Sequence, residues 1–139
     1  MNQRNLIDQL KRHEGIRLFP YRDTVGKLTI GIGRNLDDVG ISEQEAETML
    51  LTDIAKAYNT LKARWPKLEA LDDARQNVLI NMAFNIGVGG LLNFNNMLAA
   101  IAMGDYTKAA AEMLNSKWAR QVGARARQLA KQMETGLYA

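Results

Sequence analysis

Residues 17–33 are the one stretch of this chain whose pattern is typical of strands rather than helices. Two segments of it are rich in apolar, aromatic and β-branched residues, RLFPY at 17–21 and KLTIGI at 27–32. Between them lies a segment with turn-forming residues, DTVG at 23–26. The sequence therefore predicts one small β-hairpin in a chain that is otherwise helical.

Helices are predicted on both sides of the hairpin. The first covers about residues 3–13, and Gly15 is its C-terminal stop. A capping box of Ser42 and Glu45 opens a long helix, which ends before Pro66.

The remainder of the chain continues as helices. Asp72 or Asp73 caps an apolar helix that ends at Gly87. Because this helix has apolar side chains on nearly all of its sides, we expect it to be the buried central helix. Three further amphipathic helices are predicted to end near Gly104, Gly123 and Gly136.

These elements predict a single domain of the α+β class that is predominantly α. We expect a small lobe around the hairpin (about 15–41), a connecting helix (about 42–64) and a helical lobe (about 66–139) that packs with the first helix. A cleft between the two lobes is where a ligand would bind.

The composition is that of a globular protein, and it excludes several kinds of site. Of the 139 residues, 47% are hydrophobic and 24% are charged, which is enough for one domain with a buried core. Cysteine is absent and His13 is the only histidine, so disulfides, thiolate metal sites and two-histidine zinc sites are excluded. We expect no cofactor and no metal, although an all-carboxylate metal site is compatible with the composition.

Basic residues are concentrated near the C-terminus, in KWARQVGARARQLAK at 117–131, while the net charge of the chain is a modest +3. Such a cluster suits an anionic partner, for example nucleic acid, a membrane surface or an acidic wall polymer. A solvated basic helix face explains the cluster equally well.

Two carboxyl groups flank the first predicted strand. Glu14 would lie at the end of the apolar stripe of the first helix, where partial burial and the helix carbonyl dipoles both raise a carboxyl pKa. Asp23 lies in a polar turn and should remain ionised. Two carboxyl groups of different acidity are the arrangement that a glycosidase uses, one to donate a proton and one to manage water.

Each candidate also has a simpler explanation. Glu14 can be a solvated residue at a helix end, and Asp23 can be an ordinary turn former. Thr29 alone indicates only strand propensity, and His13 is explained by packing or by surface exposure. The GIG segment at 31–33 lacks the third glycine and the following helix of a phosphate-binding loop, so we discount that function.

Nearly the whole chain resembles a known family. The segment EGIRLFPYRDTVGKLTIGIG at 14–33 closely resembles the motif of the phage lysozyme family typified by T4 lysozyme (glycoside hydrolase family 24). The apolar helix around 79–86 resembles the buried central helix of that family, and the similarity continues in order to residue 136. The resemblance implies a two-lobed, lysozyme-like fold. It also implies hydrolysis of the bond between N-acetylmuramic acid and N-acetylglucosamine in peptidoglycan.

Carried over position by position, the resemblance assigns three catalytic roles. Glu14 matches the general acid, Asp23 the carboxylate that orients or activates water, and Thr29 the hydroxyl that helps to hold that water. Inversion is the expected course, and it requires carboxyl groups roughly 6.5–9.5 Å apart. The resemblance further implies substrate-binding residues at Leu28, Phe84, Asn85 and Arg125. The family arginine pairs with the catalytic glutamate, which would oppose a rise in its pKa.

Two features depart from the family. The family histidine after the G-x-G motif is replaced by Arg34, and the family aspartate on the long helix corresponds to Asp53, so we expect an ion pair between these two residues. Only eight residues, 34–41, separate the hairpin from the cap of the long helix. This segment is shorter than in T4-type enzymes, and the small lobe is expected to be reduced.

Three other functions are compatible with parts of the pattern. A lytic transglycosylase cuts the same bond, but it can dispense with the aspartate, so the presence of Asp23 and Thr29 favours hydrolysis. Loss of a catalytic carboxyl group would favour a non-catalytic wall-binding module, and both Glu14 and Asp23 are present. A helical nucleic-acid binder using Arg120, Arg125 and Arg127 would leave the hairpin acids without a role.

The N-terminus is too polar for a signal peptide, and no apolar run reaches membrane-spanning length. We therefore expect a monomeric bacteriophage endolysin that is made in the host cytoplasm. It would reach the peptidoglycan of the periplasm and cell wall on lysis, through a holin-type pore. Neither nucleic acid nor a stable membrane association is expected.

Overall fold

The computed structural model describes residues 1–139 and divides into two compact units, Met1–Leu50 and Leu51–Ala139. The elements in chain order are α1 (Gln3–Glu14), β1 (Arg17–Arg22), β2 (Leu28–Gly31), β3 (Arg34–Asn35), α2 (Glu43–Arg64), a 3₁₀ helix (Pro66–Ala70), α3 (Asp73–Leu92), α4 (Asn95–Ala102), α5 (Tyr106–Leu114), α6 (Lys117–Val122) and α7 (Ala124–Thr135). The predicted α+β class with mostly helices is confirmed. The boundary between the units falls inside α2, and the predicted packing of α1 with the helical lobe stays a prediction.

Local hydrogen bonds define both ends of α1. Asn2 Oδ1 accepts a hydrogen bond from the N–H of Asn5 (3.0 Å), and the N–H of Gly15 donates to Lys11 O (2.9 Å). Gly15 has φ of 75°, a left-handed value that glycine adopts without strain and that ends the helix. The first helix thus extends one residue beyond its predicted end, and Glu14 is its last residue.

The predicted hairpin is present, and a third strand extends it to an antiparallel sheet in the order β1-β2-β3. Thr29 lies on the central strand, opposite Tyr21 on β1 and Asn35 on β3. The register between β1 and β2 is irregular from Arg17 to Tyr21. Pro20 is tolerated there because β1 is an edge strand, in which some backbone nitrogens donate no hydrogen bond to a neighbouring strand. The third strand was not predicted, because two residues are too few to show a period.

The predicted capping box opens α2. Ser42 Oγ accepts a hydrogen bond from Glu45 N (3.1 Å), and Glu45 Oε1 accepts one from Ser42 N (2.9 Å). The sequence of α2 predicts an apolar stripe of Met49, Leu50, Ile54, Tyr58 and Leu61. Only Leu61 is buried, while Met49 and Leu50 are 57% and 44% exposed. The helix therefore contributes to a buried core only near its C-terminal end.

Residues from the end of α2 to α7 form the hydrophobic core of the C-terminal unit. Its largest fully buried side chains are Leu61, Leu68, Val78, Leu79, Met82, Leu91, Met97, Met113 and Met133. The central helix α3 begins after Asp72, whose side chain accepts a hydrogen bond from Arg75 N (3.2 Å). Asp72 is one of the two residues predicted as the cap. The predicted end of α3 at Gly87 is a break, with φ of 77° and ψ of 159°, after which the helix continues to Leu92.

Four helices follow α3 instead of the predicted three. Gly123 and Gly136 directly follow α6 and α7, and Gly104 lies two residues after α4, as predicted. The additional helix end is that of α5, which stops at Asn115 without a glycine and therefore gave no signal. No single helix is both long and apolar enough to span a membrane; α3 and α4 meet that criterion only together, as a pair bent by 95°.

Candidate active site

Glu14 lies at the end of α1, and its carboxylate is in contact with Gly33 in the turn between β2 and β3. A Cβ atom added to Gly33 would lie 2.9 Å from Glu14 Oε2 and 3.2 Å from Glu14 Cδ. The expected partial burial of Glu14 is wrong: the residue is exposed, and α1 has no buried residue. The reason is that Thr29 is the only buried residue of the N-terminal unit, so this unit has no core for α1 to join.

Asp23 is fixed by the turn that it begins. Its Oδ1 accepts hydrogen bonds from the backbone N–H groups of Val25 (3.0 Å) and Lys27 (2.8 Å). The backbone N–H of Asp23 donates to Lys27 O (2.9 Å), and its carbonyl accepts from the N–H of Gly26 (3.0 Å). One carboxylate oxygen therefore holds the side chain in place, while Oδ2 makes no bond within the turn.

Thr29 also binds the backbone of Lys27. Its side chain is buried, with the residue 3% exposed, and Oγ1 donates a hydrogen bond to Lys27 O at 2.9 Å. A hydroxyl has one hydrogen and two lone pairs, so this bond leaves Oγ1 as an acceptor. The backbone of Lys27 thus connects the two residues: its N–H donates to Asp23 and its carbonyl accepts from Thr29.

Two aspartates that were not predicted as site residues support β2 from the loop after β3. Asp37 Oδ2 accepts a hydrogen bond from Leu28 N (2.7 Å) and lies 3.6 Å from Arg22 Nη1. Asp38 Oδ1 lies 3.1 Å from Lys27 Nζ. Leu28, implied as a substrate-binding residue, is half-buried here. The available signal was the aspartate pair directly after the hairpin, because aspartate often bonds backbone N–H groups in loops.

Arg34 is paired with Glu45. The predicted ion pair between Arg34 and Asp53 would join the two units, and it stays a prediction. Arg34 Nη1 lies 2.8 Å from Glu45 Oε1 and also donates to Gly40 O at 3.2 Å. The hydrogen bond from Arg34, together with the backbone hydrogen bond from Ser42, lowers the pKa of Glu45 to about 2. The pKa of Arg34 is raised by the same pair. The sequence pattern predicts only the helix-cap role of Glu45, whereas in the structure its carboxylate binds both Ser42 N and Arg34.

Phe84 and Asn85 lie on α3, just before its break. Phe84 is 44% exposed and lines a hollow of about 340 Å³ in the C-terminal unit, together with Asp53 of α2. Asn85 Oδ1 accepts a hydrogen bond from the indole Nε1 of Trp118 at 2.7 Å. The side chain of Asn85 is therefore oriented by a buried tryptophan, which the sequence did not predict.

Arg125 on α7 is bound to α3. Its Nε and Nη2 donate to Asn81 Oδ1 at 3.0 and 2.7 Å, and Nη2 also donates to Asn81 O at 3.2 Å. Within the C-terminal unit this side chain is thus directed by Asn81. The implied pairing with Glu14 would join the two units, and it stays a prediction.

A second hollow of the C-terminal unit, of about 670 Å³, is rich in amide side chains. Its lining includes Asn93, Asn95, Asn96, Asn115, Gln121 and Trp118. Amides both donate and accept hydrogen bonds, so this surface suits polar ligands that do the same. These residues were not predicted as a site, because asparagines around helix ends are ordinary turn and cap formers.

Comparison with known proteins places these residues in a family context. The family model described as phage lysozyme matches residues 11–135. The chain is 31% identical over 162 residues to a protein of Dictyostelium discoideum named probable T4-type lysozyme 1, with 95% of each chain covered. It is 31% identical over 115 residues to an endolysin of Acyrthosiphon pisum secondary endosymbiont phage 1, covering 80% of this chain and 75% of the relative.

A third relative is longer. The chain is 32% identical over 160 residues to the pre-baseplate central spike protein Gp5 of Enterobacteria phage T4. This alignment covers 95% of this chain but 28% of the relative. The alignments of 160 and 162 positions exceed the 139 residues of the chain. These relatives therefore contain residues that the chain lacks, in keeping with its short segment between the hairpin and α2.

Proposed function

The chain belongs to the phage lysozyme family, and we propose that it is a muramidase that cleaves the β-1,4 bond between N-acetylmuramic acid and N-acetylglucosamine. Membership of this family makes it a lysozyme, with peptidoglycan as its substrate. The similarity to an endolysin supports a role in degrading the host cell wall. The observation that carries the finer proposal is that the backbone of one residue, Lys27, binds both Asp23 and Thr29.

The directions of these hydrogen bonds support a defined role for the pair. Asp23 Oδ1 is occupied by two N–H donors, and the hydrogen of Thr29 Oγ1 points to a carbonyl. Both side chains therefore offer only acceptors to a ligand: Oδ2 of the carboxylate and a lone pair of the hydroxyl. A water molecule between them would donate both hydrogens and keep its own lone pairs for attack on the anomeric carbon. Asp23 then takes the proton that the water loses as the bond forms.

Glu14 supplies the other half of the reaction. Its carboxyl group donates a proton to the glycosidic oxygen, so that the leaving sugar departs as an alcohol. We propose that water attacks the opposite face of the sugar, which inverts the anomeric centre. Inversion requires about 6.5–9.5 Å between the two carboxyl groups, enough for the water to fit.

Residues of the C-terminal unit would hold the rest of the substrate. The amide-rich hollow beside Trp118 supports binding of acetamido and peptide groups, which need both donors and acceptors. Phe84 offers an exposed apolar face for a sugar ring. The monomeric state, the absence of a stable membrane association, and cytoplasmic synthesis with release through a holin-type pore stay predictions.

The test is the cleavage rate of purified peptidoglycan by Glu14→Gln, which keeps the size of the side chain and removes its acidic proton. We expect the rate to fall by at least about a hundredfold, which is typical for loss of a general acid. Glu47→Gln is the matched control, because it removes an exposed carboxylate from α2 of the same unit. A Glu14→Gln rate equal to that of this control would contradict the proposed role of Glu14.

A further inference from the structure

We propose that Gly33 is a positioning residue for the catalytic acid: its bare Cα face is the surface that holds the Glu14 carboxylate. This inference rests on the proposed role of Glu14 as the proton donor. Three successive side-chain atoms of Glu14 follow this surface. A Cβ atom at Gly33 would lie 2.9 Å from Oε2, 3.2 Å from Cδ and 3.4 Å from Cγ. The contact therefore extends along the end of the side chain.

No polar group competes with this contact within the N-terminal unit. None of the hydrogen bonds and ion pairs of that unit involves the Glu14 carboxylate. Its position at the C-terminal end of α1 adds carbonyl dipoles, which disfavour a negative charge there. Within this unit the side chain is thus oriented by the shape of its surroundings, and Gly33 forms part of that shape.

The backbone at Gly33 is held in place on both sides. It lies in the turn between β2 and β3, whose flanking residues Ile30 and Arg34 are paired in the sheet. Arg34 is itself anchored by its bonds to Glu45 and to Gly40 O. The surface against which Glu14 lies is therefore fixed by the sheet and by the start of α2, and it does not yield easily to an added side chain.

Gly31 provides an internal comparison. Both glycines have left-handed backbone angles, with φ of 72° at Gly31 and 76° at Gly33. An alanine at either position is strained to a similar degree, because L-residues other than glycine disfavour positive φ. A Cβ atom at Gly31 meets nothing within 4 Å, whereas a Cβ atom at Gly33 overlaps the Glu14 carboxylate. The two substitutions thus share the backbone cost and differ in the effect on the catalytic acid.

The experiment compares Gly33→Ala with Gly31→Ala in the full chain. We expect similar losses of thermal stability, because the strain is similar. With soluble peptidoglycan fragments, kcat of Gly33→Ala should be lower than that of Gly31→Ala by about ten- to a hundredfold at nearly the same KM, since a displaced acid misplaces the proton. The side-chain carboxyl ¹³C resonance of Glu14 should change its chemical shift in Gly33→Ala and stay native-like in Gly31→Ala.

Equal kcat losses in the two variants, or a Glu14 resonance that Gly33→Ala leaves unchanged, would overturn the proposal. If Gly33→Ala does not fold, Gly33→Asn and Gly31→Asn repeat the comparison with less strain, because asparagine tolerates positive φ better than alanine. The resonance also separates this inference from the proposed function. If Glu14 is not the acid, Glu14→Gln keeps its activity, and the Glu14 resonance still reports whether Gly33 positions the side chain.

Discussion

Arg34 Nη1 and Glu45 Oε1 lie 2.8 Å apart, and this ion pair joins the last strand of the sheet to the first turn of α2. The same Glu45 oxygen accepts a hydrogen bond from Ser42 N at 2.9 Å. One carboxylate atom therefore serves both the helix cap and the ion pair. The two charged side chains are 38% and 43% exposed, so water screens the pair in part.

The low pKa of Glu45 predicts a loss of stability in acid. The folded pKa of about 2 lies below the ordinary value of 4.5, so the unfolded chain binds this proton more readily. The stabilising contribution is complete above about pH 4.5 and is lost as the pH falls towards about 2. We expect Glu45→Gln to lower the urea midpoint of unfolding at about pH 6, and the difference from the native chain to disappear near pH 2. Circular dichroism across a pH series measures both.

Glu47→Gln is the matched control for this experiment, because it removes an exposed carboxylate of the same helix and leaves the pair of Arg34 and Glu45 intact. We expect its urea midpoint to follow that of the native chain at every pH. A Glu45→Gln midpoint that stays equally far below the native one from about pH 6 to about pH 2 would show that the ion pair is not the source of the effect.

Two conservative variants of Thr29 are expected to differ in their rate of peptidoglycan cleavage. Thr29→Val fits the buried site but can neither donate to Lys27 O nor accept from a water molecule. We expect the initial rate on purified peptidoglycan to fall by about ten- to a hundredfold, because Asp23 alone then orients the water. Thr29→Ser keeps the hydroxyl and should retain most of the rate. An equal loss in Thr29→Ser, which keeps the hydroxyl, would contradict the proposed role of that hydroxyl.

Substitution of Arg75, which is not one of the site residues, is expected to lower the stability of the chain strongly. Its Nε and Nη2 donate to the carbonyls of Met133 (2.6 Å) and Glu134 (2.9 Å) at the end of α7, and its guanidinium lies 3.6 Å from the ring centroid of Tyr106. A lysine cannot make this planar set of contacts, so we expect Arg75→Lys to lower the free energy of unfolding by about 2–3 kcal/mol. Lys62→Gln, which removes an exposed ion pair, should cost much less. Comparable losses in urea unfolding would contradict the assignment.

The features that the sequence predicted correctly depend on neighbouring residues. The capping box of Ser42 and Glu45, the Asp72 cap and the helix stop at Gly15 each involve bonds within four residues along the chain. The turn that begins at Asp23 is of the same kind. Local propensity and spacing are enough to predict such bonds, and the resemblance added roles for the site residues.

The features that were missed depend on how distant segments meet. Arg34 and Glu45 are 11 residues apart, and Arg75 bonds a carbonyl 58 residues away. The contact of Glu14 with Gly33 likewise follows from the path of the sheet and from no local pattern. The expected partial burial of Glu14 is wrong for a related reason: an apolar stripe indicates which face of a helix would be buried, and it does not indicate whether a core lies against that face.

The most direct test of the account is mass spectrometry of the muropeptides released from purified peptidoglycan, with Glu14→Gln beside the native chain. The account predicts products with free reducing N-acetylmuramic acid ends, absent with Glu14→Gln. Anhydro products, each lighter by one water, would contradict hydrolysis and identify a transglycosylase, leaving the arrangement of Asp23 and Thr29 without its proposed role.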